Sequence, residues 1–186
     1  LAAQSDGELL TAVASGDMHA FEQLHRRYFP KLMRFATRLT GGREAAEEVA
    51  NDTLMTVWRT AERFEGRSKP STWIFAIAYR TSLKARGKQV KHSGTLELEE
   101  DLIGGDMDPA DAVIVKTDLA TALQHLTPEL RAVVELTYYN GYLYTEIAEI
   151  LECPVGTVKT RMMTARRRLR GLLSDPGPNA EESDNA

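Results

Sequence analysis

Apolar residues recur at intervals of three and four along most of the chain, which is the pattern of amphipathic helices. They predict one helix over residues 20–39, within which Pro30 is expected to kink or divide the rod. Gly41-Gly42 ends this helix, and the next one is predicted over 44–64. No segment alternates apolar and polar residues over the length of a strand, so the sequence predicts an all-α fold.

A stretch of glycines and acids divides the helical chain into two parts. Residues 65–70 are a loop by composition, and Ser71 or Thr72 is predicted to cap the helix that follows. Residues from 88 to about 111 are predicted to be an extended acidic linker with little fixed structure. The sequence therefore predicts two small helical domains at 1–90 and 112–173, a flexible linker at 91–111 and a disordered acidic tail at 174–186.

The second predicted domain ends in two helices joined by a tight turn. It begins with a helix over 112–126, after which Thr127 and Pro128 supply the N-cap and the first residue of the next helix. Asn140-Gly141 ends that helix. A short helix from Tyr144 is then interrupted at 152–154 and followed by a longer basic one, which is typical of a helix-turn-helix motif.

Charge occurs in blocks that alternate in sign. Residues 31–91 hold 13 basic and 6 acidic residues, 92–118 hold 1 and 8, and 153–173 hold 6 and none. Two basic blocks separated by an acidic one fit two polyanion-binding surfaces on a tether, although charge runs also occur on ordinary solvated helix faces. The absence of any acid from 153–173 favours DNA binding by the second helix of the motif.

Three segments, in this order along the chain, carry a family resemblance. They read AEEVANDTL at 46–54 with VW at 57–58, then STWIFAIA at 71–78, and finally GYLYTEIAEIL at 141–151 with PVGTVKTR at 154–161. They resemble the polymerase-binding helix, the −10 element helix and the −35 element domain of bacterial extracytoplasmic-function (ECF, group IV) RNA polymerase sigma factors. The resemblance covers roughly residues 15–173, and it departs from the family at Glu152-Cys153, where Gly-Val is common.

The resemblance implies roles for three groups of residues. Docking on core polymerase is expected at Glu48, Val49, Asn51, Asp52 and Leu54. Recognition and melting of the −10 element are expected at Arg67, Ser68, Lys69, Ser71, Thr72, Tyr79, Arg80 and Lys84. Recognition of the −35 element is expected at Val155, Gly156, Thr157, Lys159, Thr160, Arg161, Met163, Thr164 and Arg167.

Aromatic residues of the −10 helix are divided between two expected roles. Helical aromatics usually pack inward, so Trp73 and Phe75 are expected in the core. Tyr79 is the exception, since it is expected to be available for stacking on an unpaired base.

The partners implied by the resemblance are core RNA polymerase, contacted at the clamp helices of its largest subunit and at its flap, promoter DNA and an anti-sigma factor. Within the linker, residues 97–111 are expected either to enter the polymerase channels or to act as a plain tether. The expected location is the cytoplasm, with nucleoid association when active or tethering through an anti-sigma factor, because neither a signal peptide nor a membrane span is visible.

Cofactors and metals are not expected. The single cysteine, Cys153, excludes an intrachain disulfide framework, and with four scattered histidines it argues against a structural zinc site. Cys153 itself is interpreted as a small buried apolar residue in preference to a redox group.

Two other function classes compete with a sigma factor. An enzyme acting on nucleic acid or phosphates is disfavoured because the sequence contains no Walker-type loop, no GxGxxG loop and no HExxH pair. A stand-alone helix-turn-helix repressor or activator is the nearer alternative. It would bind its duplex alone, whereas a sigma factor binds promoters strongly within the holoenzyme.

Overall fold

The computed structural model describes residues 4–93 and 119–174, and every regular element within these ranges is a helix. The predicted all-α fold is confirmed. The N-terminal domain contains α1 (Asp6–Ala14), α2 (Met18–Thr40), α3 (Arg43–Thr60), a 3₁₀ turn (Ala61–Arg63) and α4 (Pro70–Ser93). The C-terminal domain contains α5 (Leu119–Gln124), α6 (Pro128–Val134), a π-helical turn (Glu135–Tyr139), α7 (Tyr144–Ile150) and α8 (Val155–Ser174).

Helix α2 is the centre of the N-terminal domain and packs against α1, α3 and α4. Its apolar face buries Leu24, Tyr28, Leu32 and Phe35 on both sides of Pro30. Pro30 is exposed and does not divide the helix, so that alternative of the prediction is wrong. The buried face outweighs the backbone hydrogen bond that a proline removes.

Helix α4 begins two or three residues earlier than a cap at Ser71 or Thr72 predicts, and it continues further. Pro70 is its first residue, and the carbonyl of Lys69 accepts a hydrogen bond from the amide of Trp73 at 3.1 Å. Ser71 and Thr72 therefore lie in the first turn and are not the cap, because a proline is well suited to the first helical position. The helix continues to Ser93, so 88–93 are helical and the linker prediction is wrong there.

Several predicted segments fall outside the described residues. The acidic linker from 94 onward, the first part of the predicted helix over 112–126 and the tail from 175 are among them. Within the described part of that helix, α5 covers Leu119–Gln124.

The C-terminal domain forms a helix-turn-helix from α7 and α8. Thr127 is the N-cap residue of α6 and Pro128 its first residue, as predicted, although the Thr127 side chain makes no capping hydrogen bond. The amide of Leu143 donates to Glu146 Oε2 at 2.8 Å and so fixes the start of α7. Between α7 and α8, Glu152 adopts a left-handed conformation with φ 51°. The buried face of α8 consists of Val158, Met162 and Ala165.

The two domains pack directly against each other, and this packing is termed the closed arrangement. Helix α4 lies against α7, and α2 lies against α6. The rings of Phe75 and Tyr142 meet edge to face with centroids 5.4 Å apart. The Arg131 guanidinium donates to the backbone carbonyl of Arg38 at 2.6 Å and also to carbonyls of its own domain. The interface is therefore both apolar and hydrogen-bonded.

Candidate nucleic-acid and polymerase interfaces

The predicted −35 residues all lie on the first four turns of α8. Gly156, Lys159, Thr160, Met163 and Arg167 are exposed, and their spacing of three and four places them along one side of the helix. Val155, Thr157, Arg161 and Thr164 are half-buried. The exposed side carries two cations, Lys159 and Arg167, and the hydroxyl of Thr160, which are groups that a recognition helix uses in a major groove.

Arg161 points away from the exposed side of α8 and toward the other domain. Its Nη1 lies 3.8 Å from the Sγ of Cys153, and its charge acts on the phenol of Tyr79. Its Nε is buried and has no hydrogen-bond partner among the described residues. In the closed arrangement Arg161 is thus turned away from the groove-facing side.

The predicted −10 residues occupy the loop before α4 and the part of α4 up to Lys84. Lys69 pairs with Glu146 of α7, with Nζ and Oε1 2.6 Å apart, and Arg80 pairs with Glu152. Arg67 pairs with Glu65 of its own loop at 2.6 Å. Ser68 is half-buried and Lys84 is exposed. Lys69 and Arg80 thus face the helix-turn-helix domain, and Arg67 lines a cleft with Glu146 of that domain.

Tyr79 is buried, which corrects the prediction that it is available for stacking. It is 6% exposed, and burial raises its pKa to about 12. Its electrostatic neighbours Glu129, Cys153 and Arg161 all belong to the C-terminal domain. The sequence could not predict this burial because the covering residues come from a separate domain.

The other two aromatic residues of α4 were predicted to lie in the core. Phe75 is fully buried, whereas Trp73 is half-buried against Phe64, so only Phe75 lies wholly in the core.

Ser71 and Thr72 also face the C-terminal domain. Ser71 lies near the phenol of Tyr142, and burial raises the pKa of that phenol to about 12 against the opposing effect of Ser71. Thr72 is 2% exposed, lines a cleft shared with Glu146 and Glu149, and its hydroxyl has no partner among the described residues. Five of the eight predicted −10 residues thus meet the second domain.

The predicted polymerase-docking residues of α3 fall into two groups. Glu48, Asn51 and Asp52 are exposed, and neither carboxylate pairs with a cation in the described ranges. Val49 and Leu54 are 1% exposed and lie in the domain core, which corrects their assignment to the docking surface. Their spacing places them on the opposite face, where they hold α3 against its neighbours.

The sequence prediction missed Met55. Its side chain is 42% exposed and shares the outer face of α3 with Glu48, Asn51 and Asp52. Residues 48, 51, 52 and 55 follow the i, i+3, i+4, i+7 pattern of one helix face, and this spacing is a signal that could have identified Met55. An exposed methionine among acids suits a partner surface that combines apolar and basic groups.

Metal and membrane features add nothing to these surfaces. Among residues 4–93 and 119–174, no group of three or more His, Cys, Asp or Glu side chains is arranged to hold a metal ion. No helix in the same ranges combines the length and apolar character that crossing a membrane requires.

Comparison with known proteins gives the same two-domain pattern. Residues 24–92 match the Sigma-70 region 2 family model, and residues 116–169 match Sigma-70, region 4. The chain is 34% identical over 172 residues to the ECF RNA polymerase sigma factor SigM of Mycobacterium tuberculosis, covering 91% of this chain and 85% of that protein. It is 31% identical over 176 residues to the ECF RNA polymerase sigma factor SigW of Bacillus subtilis, covering 88% and 94%.

A similar solved structure is the sigma factor RpoE from Bartonella quintana, crystallised in complex with the anti-sigma factor NepR. The TM-score is 0.62 at 31% sequence identity, and the match covers 83% of this chain and 96% of that one. The likeness extends to both helical domains.

Proposed function

Because this chain belongs to the ECF family of bacterial RNA polymerase sigma factors, we propose that it binds core polymerase and directs transcription initiation at a restricted promoter set. The observation that carries the proposal is the pairing of an exposed acidic face on α3 with an exposed basic, acid-free face on α8. One face suits a basic protein partner, and the other suits DNA. A factor that joins polymerase to promoter needs both.

The acidic face of α3 is the proposed docking site for the clamp helices of the largest polymerase subunit. Glu48 and Asp52 offer carboxylates that no described residue neutralises, and Asn51 offers an amide between them. Met55 supplies apolar contact beside them. Exposed charges of this kind accelerate and orient association. The flap is the proposed second polymerase contact, made by the C-terminal domain.

The exposed side of α8 is the proposed reader of the −35 element. Lys159 and Arg167 can reach base edges or phosphates, and Thr160 adds a hydroxyl. Thr157 lies in the first turn of this 20-residue helix, where amides and the positive end of the dipole favour a phosphate.

The basic surface of the loop before α4 and of α4 itself is the proposed −10 site. Arg67, Lys69, Arg80 and Lys84 would neutralise the backbone of the melted strand. Tyr79 becomes available to an unpaired base only when the C-terminal domain has moved away.

Two further features belong to this proposal. An anti-sigma factor is the proposed inhibitor, by analogy with the RpoE–NepR complex, whose sigma factor has a similar fold and sequence. The chain contributes no catalysis of its own, since polymerisation belongs to the core enzyme, and when active it is nucleoid-associated through the polymerase it directs.

Binding to purified core polymerase in moderate salt tests the proposal, since basic surfaces bind polyanions nonspecifically when salt is low. We expect saturable one-to-one binding, followed by promoter binding that requires core polymerase. Tight sequence-specific binding to duplex DNA by the chain alone, without binding to core polymerase, would instead identify a repressor.

A further inference from the structure

We propose that Glu146 and Glu152 occupy the −10 surface of the free protein in place of promoter phosphates, so that the chain inhibits its own DNA binding in the closed arrangement. This inference rests on the proposed function, because it takes the basic surface around α4 to be a DNA-binding site. The occupying group is the carboxylate, which resembles a phosphate oxygen in charge and in accepting hydrogen bonds.

Two ion pairs across the domain interface involve predicted DNA-binding cations. Lys69 Nζ lies 2.6 Å from Glu146 Oε1, and Arg80 is paired with Glu152. Both acids belong to the helix-turn-helix domain, one on α7 and one in the turn before α8. Lys69 and the amide of Leu143 lower the pKa of Glu146, so its carboxylate is ionised at neutral pH. Each pair therefore withdraws one cation from the backbone of a DNA strand.

Uncharged −10 residues are covered by the same domain. Ser71 lies near Tyr142, Thr72 lines a cleft with Glu146, and Tyr79 is buried beside Arg161 of α8. Arg161 is itself a predicted −35 residue. The closed arrangement therefore covers much of the predicted −10 surface and turns one predicted −35 residue, Arg161, away from the exposed side of α8.

The closed arrangement leaves two of these DNA-binding groups without a partner. The Thr72 hydroxyl and the Arg161 Nε are buried, and neither is hydrogen-bonded to any residue within the described ranges. A buried donor without an acceptor destabilises the arrangement that buries it. These groups would gain acceptors from phosphates, water or bases after opening, which favours the open form.

Opening is then coupled to polymerase binding. A partner that binds the open form more tightly than the closed form shifts the population toward the open form by that difference in affinity. Core polymerase is the proposed opener, because the exposed face of α3 remains accessible in the closed arrangement. The free chain would bind DNA poorly and the holoenzyme well.

Carbodiimide coupling tests the closed arrangement in the free protein. The reagent activates the Glu146 carboxyl, and the Lys69 amine attacks it to form an amide while the carbodiimide leaves as a urea. We expect a Lys69–Glu146 cross-link by mass spectrometry, retained in Glu149→Gln and lost when core polymerase is bound. Glycinamide, added as a competing amine, forms an amide with any activated Glu146 that no lysine reaches. Glycinamide-modified Glu146 without a Lys69–Glu146 cross-link would therefore overturn the proposal.

Binding of a fluorescein-labelled single-stranded oligothymidine by the free chain tests the inhibition. Because an ion pair that keeps contact with solvent shifts an equilibrium by a few-fold, the Glu146→Gln/Glu152→Gln variant should bind about fivefold more tightly than wild type. The side-chain amide oxygen that Glu146→Gln introduces would still accept the hydrogen bond from Leu143, so α7 keeps its start. The control Glu44→Gln/Glu62→Gln removes two exposed acids that form no ion pair with any described residue.

Equal affinities of the two double variants would overturn the inhibition, because general charge removal would then explain any gain. Failure of the proposed function gives a different pattern. In that case the free chain still forms the Lys69–Glu146 cross-link, but core polymerase neither binds it nor removes the cross-link.

Discussion

The buried carboxylate of Glu135 pairs with the guanidinium of Arg38, with Oε1 and Nη1 2.7 Å apart, across the interface between the two domains. The Glu135 side chain is 2% exposed, whereas that of Arg38 is 35% exposed and its guanidinium lies 3.8 Å from the ring centroid of Tyr139. Burial raises the pKa of Glu135, and the hydrogen bond from Arg38 opposes the rise. The pair therefore depends on both domains remaining together.

Arg38→Ala should destabilise the closed protein by about 2 kcal/mol, because it leaves a buried carboxylate with less compensation. This loss of stability is smaller than the loss expected for a fully buried ion pair. Arg38 is partly exposed, and the charge of Arg131 also stabilises the Glu135 carboxylate. Urea denaturation measures the change. Arg34→Ala removes an exposed arginine of the same helix and should change stability by less than about 0.5 kcal/mol.

The cost of Arg38→Ala should depend on pH. Without the cation, the pKa of Glu135 in the folded protein rises further above its unfolded value. A carboxyl whose folded pKa is raised contributes stability at low pH that is lost as the pH rises through that pKa. The difference in the free energy of unfolding between wild type and Arg38→Ala should thus shrink as the pH falls below neutrality. A difference that is constant with pH would show that Glu135 does not carry the effect.

Glu152→Gly should give a more stable protein than Glu152→Ala. Both substitutions remove the ion pair with Arg80, but alanine keeps a Cβ at φ 51°, where the left-handed conformation costs about 1 kcal/mol or more. Chemical denaturation should place the glycine variant about 1 kcal/mol above the alanine variant. Equal stabilities would mean that the turn relaxes to another conformation.

Lys159→Ala should weaken promoter binding by the holoenzyme about tenfold or less and leave core binding unchanged. If Lys159 contacts a phosphate, the slope of log affinity against log salt should fall by about 1. Arg26→Ala, at an exposed position of α2 in the other domain, is the matched control and should change neither quantity. Lower affinity of Lys159→Ala for core polymerase would contradict the assignment of α8 to DNA.

Asp52→Lys should weaken core binding, because it places a cation on the acidic face proposed to meet the basic clamp helices. Glu62→Lys makes the same change at an exposed residue of the 3₁₀ turn and should assemble normally. Titration of labelled core polymerase measures both affinities. Normal holoenzyme assembly by Asp52→Lys would remove α3 from the docking site.

Periodicity along the chain predicted most of the helices and their buried faces. The face of α8 formed by Val158, Met162 and Ala165 is an example, because burial within one domain follows from spacing alone. Helix ends were less predictable. Pro70 starts α4 in place of Ser71 or Thr72, since a proline and a hydroxyl residue compete as start signals within two positions.

The interface between domains could not be predicted from the sequence. Tyr79 is buried by residues more than 40 positions away, and no local pattern records such contacts. The same is true of Glu135, an acid whose burial depends on Arg38 in α2. The blocks of charge along the sequence predicted DNA-binding surfaces. They did not predict that acids of the second domain would form ion pairs with cations of the first.

Run-off transcription with purified core polymerase on fragmented host DNA tests the central claim most directly. Adding the chain should yield discrete transcripts that core alone does not make, saturating at one chain per polymerase, and their start sites should share upstream elements. If the chain binds specific duplexes by itself but adds no transcripts, it acts as a repressor and its proposed role in initiation is wrong.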